Sequence, residues 1–256
     1  MEKRRDLLGT WRYHLRMISR AHRNIEADDD DGKGAGIRPN GLEQYQSLLT
    51  PLLILFAAAV LALLFVLLAS EVREGDTRVF DMQLLVHAQA LRAGHPWLAE
   101  VMRDLSGLGS TVVLTLVTVA TVGYLALVSQ RATAILVATS VISGTILVSV
   151  FKAAFGRIRP DLAYAELPAS GLSFPSGHAS MSAIVFLTIA ALLASSHTRV
   201  SERTYILVTA GLMTFLVGLS RIALGVHYAT DVIGGWAFGS AWAIVWLLLA
   251  RHIARR

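Results

Sequence analysis

Six long apolar runs constrain what this 256-residue chain can fold into. Each is long enough to cross about 30 Å of hydrocarbon as a helix rising 1.5 Å per residue. The pattern predicts an all-α, polytopic membrane bundle of about six transmembrane helices. We place the runs at 49–70, 110–129, 133–151, 178–196, 204–221 and 232–250.

Composition agrees with a membrane protein. The chain is 54% hydrophobic and 16% charged, whereas soluble domains carry about 25% charged residues. It has no cysteine, which excludes a disulfide framework, a thiolate nucleophile and a cysteine-ligated metal. In a membrane protein a net charge of +5 indicates basic cytoplasmic loops. We therefore expect no nucleic-acid partner.

The first 47 residues differ from the rest, and we predict a cytoplasmic N-terminal extension followed by a membrane domain over 48–256. Apolar residues recur at helical spacing between arginines over 1–25, without the apolar core and cleavage site of a signal peptide. A basic amphipathic helix on an anionic membrane fits this pattern, and a frayed tail with chance periodicity fits equally well. Four aspartates and three glycines at 28–36 favour a linker over a calcium site, because the EF-hand ligand pattern is absent.

Residues 71–109 form the one long loop after the first predicted span. Apolar residues recurring at Phe80, Leu84, Leu85 and Leu91 predict a short interfacial helix, and Pro96-Trp97 begins another amphipathic turn. Trp97 is a candidate interface anchor. The two histidines of the loop show no ligand spacing, so we expect both to be exposed; they are His87 and His95.

Polar residues gather in three islands at the ends of the later runs. Ionisable side chains cost roughly 2.5–3.5 kcal/mol near the bilayer centre, so their grouping predicts a polar pocket at one membrane face. The islands are Lys152-Ala-Ala-Phe-Gly-Arg157-Ile-Arg159-Pro160, Pro175-Ser176-Gly177-His178, and Ser220-Arg221 with His227 and Asp231.

Short basic loops predict the orientation. Arg131, Arg199 and Arg203 lie in short connections, and a basic segment follows the last run, so these ends and both termini are predicted to be cytoplasmic. The three islands then lie outside the cytoplasm, in what we take to be a bacterial inner membrane. Their four cations break the positive-inside rule, which a local need for positive charge explains.

The islands predict an anion site. Arginine offers planar paired donors that match phosphate oxygens, and lysine supplies a point charge. Pro175-Ser176-Gly177-His178 directly precedes the fourth run, where Gly177 allows close backbone approach and the free N–H groups of a helix start favour phosphate. A single cation at a helix end is more often a snorkelling side chain, so the joint pattern carries the inference.

The two histidines of the islands suit two tasks. His227 lies four residues before Asp231, so on a helix the carboxylate would fix its tautomer and orient it as a nucleophile. Such a pair alone could equally be a structural hydrogen bond. His178 has no acidic neighbour in sequence and is the better candidate for a general acid.

The three motifs resemble the signature of the type 2 phosphatidic acid phosphatase (PAP2) family: Lys-x6-Arg-Pro, Pro-Ser-Gly-His and Ser-Arg-x5-His-x3-Asp. The resemblance implies a vanadium-haloperoxidase-like catalytic core and a metal-independent phosphatase without a cofactor. It implies a phosphohistidine intermediate, with His227 as nucleophile, Asp231 orienting it and His178 protonating the leaving group. The phosphate contacts it implies are Lys152, Arg159, Ser176, Gly177 and Arg221. Arg157 lies outside the strict signature and is a further candidate contact.

The expected function is hydrolysis of a phosphomonoester or diphosphate lipid head group at the outer membrane face. Phosphatidate, phosphatidylglycerol phosphate and undecaprenyl diphosphate are candidate substrates, with the bilayer as the other partner. The acids near the site by sequence are Asp231, Asp161 and Glu166, too few for a two-metal cage. Two alternatives stay open: a phosphatase of the same superfamily acting on a small soluble phosphate, and an anion-binding or transport protein.

Overall fold

The computed structural model describes the backbone of residues 41–254 and the side chains of residues 49–250. All regular structure in this part of the chain is helical, as predicted. The helices are α1 (Gly41–Glu74), α2 (Arg78–Gly94), α3 (Pro96–Leu108), α4 (Thr111–Leu127), α5 (Arg131–Phe155), α6 (Gly177–Ser195), α7 (Val200–Ala223) and α8 (Ala229–Ala254). The predicted segment 1–25 and its linker lie outside the described residues, and the domain division at 47 stays a prediction.

Six helical stretches in the described residues are long and apolar enough to cross a membrane, which confirms the predicted number. Five agree with the predicted runs to within a few residues. The second begins earlier, because α3 leads almost directly into α4 through Gly109 and Ser110. The stretches are Leu49–Glu74, Pro96–Leu127, Arg131–Phe155, Gly177–Ser195, Val200–Ala223 and Ala229–Ala250.

The long loop after the first span consists mostly of the helices α2 and α3. Its histidines, His87 and His95, are exposed, as expected. On α2 the buried residues are Asp81, Leu85 and Arg92, which lie on one face because they are separated by whole helical turns. One face of α2 therefore carries two opposite charges into the protein.

Helix α6 lies at the centre of the bundle and packs mainly against α7 and α8. Its contact with α8 depends on two glycines. A Cβ atom on Gly239 would lie 2.4 Å from the backbone oxygen of Ser180, and one on Gly235 would lie 2.9 Å from that of Ser176. Small residues at this spacing let two membrane helices approach closely. The close approach brings the start of α6 against the start of α8.

An aromatic cluster supports the segment before α6. The fully buried ring of Phe174 lies 5.7 Å from that of Phe65 and 5.1 Å from that of Phe155, measured between centroids. Phe151 and Phe238 complete the cluster through contacts with Phe65. In a bilayer, van der Waals packing between such side chains holds helices together. The cluster fixes the backbone on which Ser173 and Ser176 stand.

Candidate active site

The three polar islands meet at one end of the bundle, where α5 and α7 end and α6 and α8 begin. The backbone N–H of Ser176 donates to the carbonyl of Asp231 over 2.9 Å, which joins the second island to the third. Arg159 Nη1 donates to the carbonyl of Val226 over 2.8 Å, which joins the first to the third. Residues 55 and 67 positions apart are thus joined in one polar site, as the sequence predicted.

His227 and Asp231 form the predicted pair. His227 Nδ1 lies 3.3 Å from Asp231 Oδ2, and the same oxygen accepts the backbone N–H of Tyr228 at 2.9 Å. The pair is not on one helix, since α8 begins at Ala229, after the histidine. Both side chains are buried. A buried carboxylate beside Nδ1 holds the proton on that nitrogen and leaves the lone pair on Nε2.

Arg159 provides a second contact to the imidazole. Its Nη1 lies 3.0 Å from His227 Nε2, while its Nε donates to the carbonyl of Gly171 at 3.0 Å. A guanidinium can only donate, so this contact requires an unprotonated Nε2. Burial, reinforced by Arg159 and Arg221 and opposed by Asp231, lowers the pKa of His227 to about 4. The imidazole is therefore neutral at physiological pH, with its lone pair available.

Three more signature residues surround the pair. Lys152 Nζ donates to the carbonyl of Leu172 at 2.6 Å and to that of Ser173 at 3.3 Å, which places its ammonium beside the start of α6. His178, in the first turn of α6, interacts electrostatically with Lys152, Arg159, Arg221 and His227. The resulting environment is strongly positive and suits an anion.

Two buried polar atoms of the signature have no hydrogen-bond partner among the described residues. They are Ser176 Oγ and Arg221 Nε. An unpaired buried polar group costs about 1–3 kcal/mol, more if charged, so a ligand that accepts from these two donors would be favoured. A phosphate fits both, because its oxygens accept from the hydroxyl and from the guanidinium.

Arg221 is held by a residue that the sequence did not single out. Its Nη1 donates to the Oγ of Ser106, near the end of α3, over 2.5 Å. Both side chains are buried. The serine fixes one terminal nitrogen of the guanidinium and leaves Nε without a protein partner.

Arg157 is engaged by two carboxylates. Its Nη1 lies 2.6 Å from Asp231 Oδ1, and its Nη2 lies 2.6 Å from Asp81 Oδ2. Burial alone would lower the pKa of Arg157. The carboxylates of Asp231 and Asp81 outweigh burial and raise that pKa. Both terminal nitrogens are thus occupied by protein acceptors. The geometry favours a positioning role for this residue over the phosphate contact suggested from sequence.

Sequence reasoning missed four buried residues of the site. Ser173 Oγ donates to Asp231 Oδ2 at 2.5 Å, and Asp81 accepts from Thr230 and Arg157. The count of nearby acids was therefore wrong, because Asp81 adds one from a helix read as interfacial. Asp81 and Arg92 are separated by whole helical turns, and this spacing was a sequence signal that could have identified Asp81 as buried. Nothing in the sequence marked the other three residues, which are Ser106, Ser173 and Thr230.

No three histidine, aspartate or glutamate side chains among the described residues are grouped so that they could hold a metal ion. Asp161 Oδ1 accepts the backbone N–H of Ala163, and Glu166 Oε2 lies 3.9 Å from Arg92 Nε. Metal independence itself stays a prediction, which a chelator tests.

A cleft of about 230 Å³ leads away from the polar site between α4, α5 and α6. Its polar end includes Lys152, Gly177 and His178. The remainder is lined largely by residues of the membrane-spanning stretches, some of them exposed, such as Thr115 and Thr145. The other lining residues are Gly109, Thr111, Leu114, Val141, Val148, Ser149 and Met181.

Comparison with known proteins identifies the family. The model of the PAP2 superfamily matches residues 133–254. Phosphatidylglycerophosphatase B of Bacillus subtilis is 34% identical over 183 residues, which cover 70% of this chain and 87% of the relative. The chain belongs to the PAP2 superfamily. Membership confirms the resemblance read from the motifs and, with the six apolar helices, an integral membrane protein of the phosphatase class.

A solved structure and a second relative extend the comparison. The crystal structure of a transmembrane PAP2 type phosphatidylglycerolphosphate phosphatase from Bacillus subtilis superposes with a TM-score of 0.72 and 29% identity, covering 77% of this chain and 98% of that one. Decaprenylphosphoryl-5-phosphoribose phosphatase of Mycolicibacterium smegmatis is 34% identical over 155 residues, 59% of this chain and 79% of the relative. The superposition agrees with the predicted PAP2 bundle.

Proposed function

We propose that this PAP2 protein hydrolyses the phosphate of a lipid head group through a phosphohistidine intermediate. The observation that carries the proposal is the site itself: a neutral His227 with Nε2 unprotonated, beside Arg159 and two buried donors that lack partners. Phosphoryl transfer needs an aligned nucleophile and dispersed positive charge, and both are available here.

In the proposed reaction His227 Nε2 attacks phosphorus while the bond to the leaving oxygen breaks. Asp231 stabilises the positive charge that develops on the imidazole, and His178 protonates the departing oxygen. Water then attacks the phosphohistidine, with His178 accepting its proton, and inorganic phosphate leaves. His178 enters the first step protonated and regains its proton from water in the second, so water is the one co-reactant.

The phosphate oxygens would be held by the cations and the start of α6. Arg221 Nε and Ser176 Oγ each gain the partner that they lack. Arg159 would exchange its contact with His227 Nε2 for one with a phosphate oxygen, which frees the lone pair for attack. Lys152 and the backbone at Gly177 complete the set, through a point charge and a helix N-terminus.

The cleft between α4, α5 and α6 favours a lipid over a soluble substrate. It joins the polar end, at Lys152 and His178, to apolar walls such as Leu114 and Val148 within membrane-spanning helices. A head group at the polar end would place its tail among the helices, in reach of the bilayer. The names of the relatives, a phosphatidylglycerophosphatase and a decaprenylphosphoryl-phosphoribose phosphatase, support a lipid phosphate.

The basic connections support the proposed orientation. Arg131 and Arg199 begin or precede helices at the end of the bundle opposite the site, where the positive-inside rule expects cytoplasm. The site would then face away from the cytoplasm, with both chain termini inside. A bacterial inner membrane is part of the same proposal, and the bacterial source of the relatives supports it.

Phosphate release by detergent-purified protein tests the function. The panel contains phosphatidylglycerol phosphate, phosphatidate, undecaprenyl diphosphate and glucose 6-phosphate, each with and without EDTA. We expect release from at least one lipid, unaffected by EDTA, and absent in His227→Ala. His87→Ala is the matched control, because His87 is exposed and lies outside the site.

Two results would contradict the proposal. Release from glucose 6-phosphate alone would favour the soluble-phosphate alternative, and a folded protein that binds phosphate without turnover would favour the anion-binding one.

A rapid quench with phosphate-labelled lipid should trap label that is acid-labile and alkali-stable, as a phosphoramidate is. Label retained in His227→Ala would exclude His227 as the nucleophile.

A further inference from the structure

Asp81 lies outside the three motifs, and the proposed mechanism does not use it. Its side chain is 1% exposed, although it comes from α2, far from the motifs in sequence. Oδ2 accepts from Thr230 Oγ1 at 2.7 Å, and Oδ1 accepts the backbone N–H of Thr230 at 3.0 Å. A buried carboxylate is costly unless it is fully paired. Asp81 is paired at the start of the helix that carries Asp231.

Arg157 connects Asp81 to the proposed catalytic pair. Its two terminal nitrogens each lie 2.6 Å from a carboxylate, one of Asp81 and one of Asp231. Thr230 Oγ1 accepts from the same arginine at 2.8 Å, and the guanidinium carbon lies 4.3 Å from the centre of the Tyr228 ring. The arginine is fixed from several sides.

The net charge of Asp81, Arg157 and Asp231 determines how strongly the group attracts a positive imidazole. One guanidinium shared by two carboxylates leaves one net negative charge in the group. If Asp81 were neutral, Arg157 and Asp231 would form a neutral pair, and Asp231 would attract a positive imidazole less. Asp231 meets Arg157 with Oδ1 and His227 with Oδ2, so its two oxygens face the two partners.

We propose that Asp81 is a positioning residue that acts through Arg157 to hold Asp231 and keep its negative charge available to His227. This inference rests on the proposed function, in which His227 is the nucleophile. It assigns Arg157 to the same task and explains why α2 buries a charged face against the site.

Other charged groups also face His227 and set the background against which Asp81 acts. They come from α5, the loop after α5, α6, α7 and α8, and none of them is itself altered in an Asp81 variant. They are Lys152, His178, Arg221, Arg159 and Asp231.

The first test replaces Asp81 by asparagine, which keeps its shape and removes its charge. We expect kcat to fall about 10- to 100-fold, as for other residues that orient a reacting group through a neighbour. KM and inhibition by orthovanadate should stay within about twofold, because the phosphate contacts are untouched. The acid limb of the pH–rate profile should move to lower pH, since a negative charge near His227 is lost. Asp104→Asn, on exposed α3 surface, is the matched control.

A second pair of variants guards against a simple folding defect. Arg157→Lys keeps the positive charge but cannot bridge two carboxylates, so kcat should fall while KM holds. The double variant Asp81→Asn with Arg157→Gln restores the net charge of the group. Its kcat loss should be smaller than the product of the losses in Asp81→Asn and in a third single variant, Arg157→Gln, because the two residues contact each other.

Imidazole NMR of histidine-labelled protein separates this inference from the proposed function. The His227 signal, assigned by its absence in His227→Ala, should titrate with a lower midpoint in Asp81→Asn than in the natural protein. An unchanged midpoint and pH profile in the folded variant would overturn the inference. If the natural protein released no phosphate from any substrate, the proposed function would fail, and the NMR midpoint would still decide the role of Asp81.

Discussion

Arg159 donates from Nη1 to the Nε2 atom of His227 over 3.0 Å. The contact places a cation on the atom that the proposed reaction uses for attack. It holds the imidazole in the tautomer that Asp231 also selects, and it keeps Nε2 from being protonated. A phosphate that draws Arg159 onto its own oxygens would expose the lone pair as it arrives.

The pH profile follows from the environment of His227. Burial first, then Arg159 and Arg221, lower its pKa to about 4, against about 6.5 for an exposed histidine. In the proposed reaction the neutral form of His227 attacks, so the titration of His227 should make kcat/KM rise with pH through a limb near 4 and leave it flat at about pH 5.5–6.5. Phosphate release in overlapping buffers measures the limb.

Arg159→Gln provides the control for that prediction. Because Arg159 lowers the pKa of His227, its removal should move the acid limb upward, together with weaker substrate binding. An acid limb near 6.5 in the natural protein, or an acid limb that stays at the same pH in Arg159→Gln, would contradict the assignment of the limb to His227.

Ser106→Ala should weaken phosphate binding. The hydroxyl holds Arg221 Nη1 at 2.5 Å, and the guanidinium would lose that fixed position. We expect the inhibition constant for orthovanadate to rise about tenfold, which corresponds to about 1.4 kcal/mol. Ser140→Ala is the matched control, since Ser140 is equally buried and its Oγ has no protein partner. Equal effects of the two variants would remove Ser106 from the site.

Thr145→Trp should block the cleft. Thr145 lines it on α5, whereas Thr139, also exposed on α5, does not. Both hydroxyls donate to the carbonyl four residues earlier, at 2.9 Å for Thr145 and 2.7 Å for Thr139. We expect kcat/KM for a long-chain lipid phosphate to fall at least about tenfold with Thr145→Trp, because an indole fills the tail path. Short-chain substrate, and Thr139→Trp with either substrate, should be unaffected; equal losses on both substrates would exclude a tail in this cleft.

Gly239→Ala should destabilise the protein. The new methyl group would lie 2.4 Å from the backbone oxygen of Ser180, so α6 and α8 must separate. Overpacking of this kind costs about 1–3 kcal/mol. The thermal midpoint in detergent should fall, whereas Gly211→Ala, with nothing within 4 Å of the new Cβ, should leave it unchanged or slightly raised. A fall of equal size in both variants would show that the close contact with Ser180 is not its cause.

The transmembrane part of the fold could be predicted because the bilayer imposes a length and a polarity on each segment. Helices α5 to α8 agree with the sequence for this reason. The sequence did not assign α3 to the second span, because Glu100, Arg103 and Asp104 interrupt the apolar signal on which a sequence-based search for spans relies. Both α2 and α3 pack against α7.

A contact in the site could be predicted where both of its residues belong to the same sequence motif. His227 and Asp231 are four residues apart, and their pairing was expected from that spacing. The contacts of Asp81 to Thr230 and of Ser106 to Arg221 join residues more than a hundred positions apart. No local spacing encodes such contacts, so they required the folded structure.

The close approach of α6 and α8 at Gly235 and Gly239 leaves no room for larger side chains there, whereas other parts of the protein have such room. The reacting groups stand on backbones that touch directly, so a change there disturbs the chemistry. The cleft is instead walled by α4 and the middle of α5, which contribute Leu114, Val141 and Thr145. Side chains on those walls can change in size without moving His227. Under the proposed function, substitutions in the cleft walls would therefore change which lipid tail is accepted and leave the phosphate chemistry unchanged.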